Sequence, residues 1–172
     1  MVCLDLLSNK SDSDCFVLSI GVGGDFGFET EFHSRFPHCS IHVYDKTNFG
    51  RGPITNAPKF LKYYAENFGL NTISRYSGKK IDLLKMDCEG CEFDSLPPLL
   101  SQTSVRQFNI EVHASLSISV SQKSANDKLT QVKELMTGLN KTHGIYYREP
   151  NIEFSDGTCI EFAYRRRRRV GK

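Results

Sequence analysis

Short apolar runs rich in strand-forming residues alternate with segments whose apolar positions repeat every three or four residues, and this alternation carries the chain from residue 15 to about residue 140. Residues 15–20 (CFVLSI) and 40–45 (SIHVYD) read as strands, the second ending in an acid. Between them Phe28, Phe32 and Phe36 recur every four residues and Pro37 closes the segment, which predicts a helix with one buried stripe. Strand, helix and strand within about 30 residues make a βαβ unit.

A second helix is predicted over 57–68, with Asn56 as N-cap, Pro58 in the first turn, Phe60, Leu61, Tyr64, Ala65 and Phe68 on one face, and Gly69 after the end. Residues 81–87 and 105–113 read as two further strands, separated by a short helical or irregular stretch that ends near Pro97 and Pro98. A helix over 124–140 opens with Ser124 and Asp127 in capping-box spacing and turns Leu129, Val132, Leu135, Met136 and Leu139 inward. Residues 144–149 and 159–164 then form an antiparallel pair whose connection holds the turn dipeptide Asp156-Gly157. Alternating elements followed by a hairpin predict an α/β fold, Rossmann-like and doubly wound: a mainly parallel sheet with an antiparallel C-terminal hairpin strand and helices on both faces. The expected organisation is an extension over 1–14, one domain over 15–164, and a basic tail over 165–172.

Composition narrows the class without changing that picture. A chain of 172 residues can bury one core, and no apolar run approaches the roughly 18 residues of a membrane helix. The first residues show neither a basic start nor a long apolar stretch, so the expected location is cytoplasmic. Six cysteines are spread through a chain that can fold without staples, which predicts reduced thiols. Cys88 and Cys91 form a C-x-x-C, but no second ligand pair completes a zinc site, so they too are read as core thiols. The net charge of +2 owes its sign to five consecutive arginines at 165–169.

The candidate chemistry starts where the first strand meets Gly21, Gly23 and Gly24. In an open α/β sheet the first strand-to-helix turn makes the closest backbone approach to a ligand, and glycine serves where φ is positive or a β-carbon would collide. A dinucleotide fingerprint would need glycine where Phe26 stands, and no phosphate-binding G-x-x-x-x-G-K-[ST] exists. What remains is a glycine turn followed by Asp25 and, some 20 residues on, Asp45 at the next strand end, where a carboxylate can accept both hydroxyls of a ribose. The turn carries Asp25 and Glu29 and no base, which favours a neutral or cationic ligand such as S-adenosylmethionine.

The runs CFVLSIGVGGDFGFE, IHVYDKT, KKIDLLKMDCEGCEF, FNIEVH and YYREPN…CIEFAY together resemble the FkbM-type, methyltransferase-like family of class I S-adenosylmethionine-dependent methyltransferases, over most of residues 15–164. The most specific piece is Asp87, Glu89, Gly90 and Glu92 after the IDLLK strand. The resemblance implies strand order 3-2-1-4-5-7-6, cofactor contacts from Gly21, Gly23, Asp25 and Asp45, and Asp87 near the methionine end. Gly24 belongs to the same expected cofactor turn. One departure stands out: NTISRY cannot be a full edge strand and still return through a helix before Ile81, so the third strand is expected to be shortened or missing and the adenine side open.

Asp87, Glu89 and Glu92 follow one strand while Glu111 and His113 close its neighbour, which brings carboxylates and an imidazole to one rim. Methyl transfer aligns an acceptor against the sulfonium methyl and removes a proton from an alcohol or amine. Glu89, His113 and Glu111 are the candidate catalytic groups. A divalent ion among Asp87, Glu89, Glu111 and His113 is chemically reasonable, yet acids near a sulfonium suffice without one, and no metal is expected. The reading is a methyltransferase, acting by O-methyl transfer on a small-molecule or glycan acceptor. The alternative is a catalytically impaired binding module that contacts nucleic acid through its arginines without base specificity.

Overall fold

A computed structural model describes residues 15–46, 54–113, 122–150 and 159–167. Five parallel strands come first: β1 (Phe16–Ile20), β2 (Ser40–Tyr44), β3 (Leu61–Tyr64), β4 (Lys80–Met86) and β5 (Ser104–His113). Two antiparallel strands, β6 (His143–Pro150) and β7 (Cys159–Arg166), complete one seven-stranded sheet of order β3-β2-β1-β4-β5-β7-β6. Helix α1 (Gly27–Arg35) lies on one face; α2 (Leu70–Ile73), α3 (Cys91–Gln102) and α4 (Gln122–Asn140) lie on the other.

The two-residue side-chain period of a strand sorts neighbours into two cores. Val17 and Leu83 join Phe26, Phe32, Phe36, Ile41 and Val43 under α1, whereas Leu18 and Leu84 join Leu96, Leu99, Phe108, Leu135 and Tyr164 beneath α3 and α4. Chain order reverses between β1 and β4, and a doubly wound sheet opens its ligand crevice at that switch point.

The structure corrects four expectations. The segment 57–68 is not a helix: Leu61–Tyr64 is the third strand, four residues long and paired in parallel with β2. A helix here would satisfy its own backbone but leave the edge of β2 unpaired; as a strand the segment satisfies that edge, and the Tyr64 ring stacks on Tyr44 at 4.6 Å. Its presence removes the predicted gap on the adenine side. NTISRY becomes α2 and a short 3-10 turn, Ser74–Tyr76.

Second, α3 continues through Pro97 and Pro98, because Leu96 and Leu99 are fully buried against the sheet and hold the helix to Gln102. Third, the cysteines are not all reduced. The register Phe16↔Ser40 sets Cys15 beside Cys39, with Cα atoms 4.6 Å apart, and the two form a disulfide. Cys88 and Cys91 form a second one in the loop between β4 and α3, while Cys159 is buried at the start of β7. Fourth, Arg165 and Arg166 belong to β7, so the strand outruns the 164 boundary. Arg166 donates to the Ser104 hydroxyl, and the Arg167 backbone N–H donates to the Thr142 carbonyl at 3.0 Å. Asp156-Gly157 lies outside the described residues.

Candidate active site

β1 ends at Ile20 and the chain turns through Gly21, Gly23 and Gly24 at φ of 78°, 56° and 84°, all in the left-handed region that favours glycine. A β-carbon on Gly21 would stand 1.5 Å from the Asp87 carbonyl oxygen, so the tip of β4 itself, rather than a ligand, demands glycine there. The backbone N–H groups of Val22 and Gly23 donate to Asp45 Oδ2 at 2.8 and 2.6 Å. One carboxylate at the tip of β2 thereby holds the turn that follows β1. Asp25 acts locally instead, its exposed carboxylate accepting the Gly27 N–H at 2.8 Å and shaping the entry to α1.

A cleft of about 450 Å³ opens over these tips, within the range of small-molecule sites. Of the predicted cofactor residues Gly21, Gly23, Asp45 and Asp87 line it, as does the predicted catalytic Glu89; Gly24 and Asp25 stand outside its lining. The far wall is Glu66, Asn67 and Phe68, which follow β3. Sequence reasoning missed that wall because it assigned these residues to a helix. The available signal was Tyr63-Tyr64, a pair of strand formers followed by the polar Glu66-Asn67, the same apolar-to-polar ending as the other strands.

At the other end, the chain after β4 brings Asp87 and Glu89 into the cleft, and β5 sets His113 against them, outside its lining. His113 Nε2 lies 3.7 Å from Asp87 Oδ1 and 3.5 Å from Glu89 Oε2. Behind the ring, the fully buried Glu92 carboxylate sits 3.2 Å from His113 Nδ1 and accepts the His113 backbone N–H at 2.8 Å. Burial alone would push Glu92 up, but the hydrogen bonds from His113 outweigh it and hold the carboxyl below its usual range. Burial alone would lower His113; the hydrogen bond and charge of Glu92, aided by Glu89 and Glu111, raise it. Burial pushes the Asp87 carboxyl up to about 6, against the opposing pull of the Lys85 ammonium.

Of the three predicted catalytic residues, Glu89 and His113 therefore meet beside Asp87. Glu111 is buried on the same strand, paired in register with Glu161, and lines a separate cavity of about 160 Å³ with Asp87 and Tyr147.

Strand order, switch-point cleft and glycine turn define the class, a Rossmann-like fold of the methyltransferase type. The chain belongs to the family whose model is described as "Methyltransferase domain", which matches residues 2–166. No curated protein matches it in sequence. In fold it is similar to a chain of the fibrillarin/Nop5p complex, at a TM-score of 0.61 and 12% identity over 90% of this chain and 73% of that one. The Methanococcus jannaschii fibrillarin pre-rRNA processing protein gives 0.57 and 12%, over 91% and 69%. Human methyltransferase-like protein 13, solved with S-adenosylhomocysteine, gives 0.56 and 14%, over 92% and 75%. Family and fold imply S-adenosylmethionine as the cofactor. The residues present fit it: a cleft of suitable volume, a glycine turn anchored by Asp45, and the carboxylates of Asp87 and Glu89 in the lining where a cation would sit, while the Lys85 ammonium is turned to the Gly21 carbonyl and Lys46 lines the cleft beside Asp45.

Proposed function

We propose that the chain is an active S-adenosylmethionine-dependent methyltransferase of the FkbM type that methylates a hydroxyl oxygen of a small-molecule or glycan acceptor. The observation that carries this reading is one cleft joining the Asp45-anchored glycine turn to Asp87 and Glu89. When bound, the cofactor supplies a sulfonium methyl for in-line displacement. The backbone of the glycine turn and the Asp45 carboxylate bind its adenosyl part. Glu66, Asn67 and Phe68 close the adenine side. Asp87 and Glu89 favour the cationic end and turn the acceptor's hydroxyl inward, and its proton passes to the cluster they form with His113.

Calorimetry with S-adenosylhomocysteine on the full chain tests this. Binding in a one-to-one ratio that weakens at least tenfold in Asp45→Ala supports the proposal; a folded chain that gives no binding heat sinks it. The impaired-module reading loses its main ground, because the third strand is present, and loses part of its arginine tail to β7. No described helix is long and apolar enough to cross a membrane. The two disulfides among the described residues favour an oxidising compartment over the cytoplasmic location expected from the sequence, and thiol titration of protein isolated under alkylating conditions decides between them.

A further inference from the structure

We propose that Asp87, Glu89 and His113 form a binding site for one divalent transition-metal ion, of the Mn²⁺ or Zn²⁺ type, whose open positions take an oxygen of the acceptor. Each residue offers one ligand atom, and the three atoms lie within 4.8 Å of one another. The Nε2-to-carboxylate separations of 3.5 and 3.7 Å are long for hydrogen bonds. They are close to the roughly 3.4 Å that separates two ligands of a tetrahedral ion bound at about 2.1 Å. One imidazole and two carboxylates form a mixed set that suits Mn²⁺, Zn²⁺ or Fe²⁺ better than Ca²⁺.

The second observation lies behind the ring. His113 is buried, and Glu92, itself without exposure, holds Nδ1 and the backbone N–H, so Nε2 is aimed at Asp87 and Glu89. A carboxylate that fixes the far nitrogen of a histidine is the usual support of a metal ligand, setting both tautomer and ring direction. Glu89 adds a third sign. It sits at φ 55°, the only non-glycine residue in the left-handed region among the described residues, in a loop closed by the Cys88–Cys91 disulfide. A conformation unfavourable for glutamate is kept where it presents the carboxylate to His113.

The three ligands come from a strand tip, a loop and a neighbouring strand tip whose register is set by Met86↔Ile110. Asp87 and Glu89 also line the cleft, so the ion would face it. His113 belongs to another close group, with Glu111 and Cys159, but all three of those residues are buried. The ion site stands on this geometry alone; only the identity of the group that fills its open positions rests on the methyltransferase reading. An ion there would make a coordinated hydroxyl more acidic directly.

The test uses the full chain stripped with EDTA, titrated with Mn²⁺ by electron paramagnetic resonance and with Zn²⁺ by calorimetry. The expected result is one ion per chain, lost in His113→Ala and Asp87→Asn, weakened 10- to 100-fold in Glu92→Gln, and unchanged in Cys159→Ala. Glu89→Gln, at an exposed loop position, guards against misfolding: it should weaken binding while the thermal midpoint stays put. No stoichiometric ion in the folded chain, or an ion indifferent to His113→Ala, overturns the proposal. S-adenosylhomocysteine binding measured on the same stripped protein separates the two readings. Binding of that ligand by a chain that takes up no ion defeats this inference alone, and the ion without the ligand upholds it while defeating the methyltransferase.

Discussion

The two strand-tip regions of the cleft use the same residue types for opposite purposes. At the tip of β2, Asp45 Oδ2 is engaged by two backbone N–H groups, at 2.8 and 2.6 Å, and fixes the turn after β1. At the tips of β4 and β5, Asp87, Glu89 and His113 approach one another only to 3.5 and 3.7 Å, and burial holds the Asp87 carboxyl up to about 6. A carboxylate oxygen that already accepts two backbone donors is a structural anchor. One that is held near neutrality beside an oriented imidazole can accept a proton or an ion. In the proposed function, binding and reaction are thus divided between the two ends of a cleft that Asp45, Asp87 and Glu89 line.

The sharpest way to break this contrast is to add one methyl group on each side. Gly21→Ala would drive a β-carbon into the Asp87 carbonyl and cost about 4 kcal/mol or more, enough to unfold a marginal domain. Gly90→Ala meets no atom within 4 Å and carries only the strain of a left-handed alanine, about 1–2 kcal/mol. Chemical denaturation of both variants measures the difference, and equal losses would erase the distinction.

Removing charge at each tip comes next in size. Asp45→Asn weakens the two turn hydrogen bonds and should lower stability by about 1–3 kcal/mol, together with cofactor affinity. Asp87→Asn should leave stability at pH 7 unchanged or higher, since a carboxyl whose folded pKa is raised contributes its stability below about pH 4 and loses it as pH rises through about 6. Methyl transfer should fall in Asp87→Asn even so. A clear destabilisation by Asp87→Asn would place that residue with the anchors.

The smallest effect concerns the pair behind the site. Glu92, held low in the fold, supplies stability that is lost as pH falls below its ordinary range near 4.5. His113, held high, supplies stability that is lost as pH rises through its folded value above 6.5. The stability gap between the wild type and Glu92→Gln should therefore be widest between about pH 4.5 and 6.5 and shrink on either side. A flat gap across a pH series would show that the pair does not act as one.

Much of this was legible in the chain. The glycine turn, Asp45, Asp87, Glu89 and His113 are tied to strand ends, and strand ends show themselves as apolar runs that stop abruptly at polar residues. Phe28, Phe32 and Phe36, and Val132, Leu135, Met136 and Leu139 of α4, kept their helical period because each set covers a continuous sheet face; Leu129, predicted to turn inward with them, is instead exposed, one turn before α4 meets the core. The segment 57–68 failed for the reverse reason. Its apolar spacing fits a helix, but its neighbour β2 offered an unpaired edge, and that edge is invisible until the sheet is assembled. Glu92 was read as one more acid on the rim, yet it is fully buried, because the first turn of α3 swings it beneath His113.

Local pattern settled which residues end strands and which face a core, since side-chain period and turn chemistry act over a few neighbouring residues. Pairing across the sheet settled the rest. It put Cys15 against Cys39, created β3, and set His113 over Asp87 and Glu89, because those contacts join residues far apart in the chain whose register exists only once the strands lie side by side.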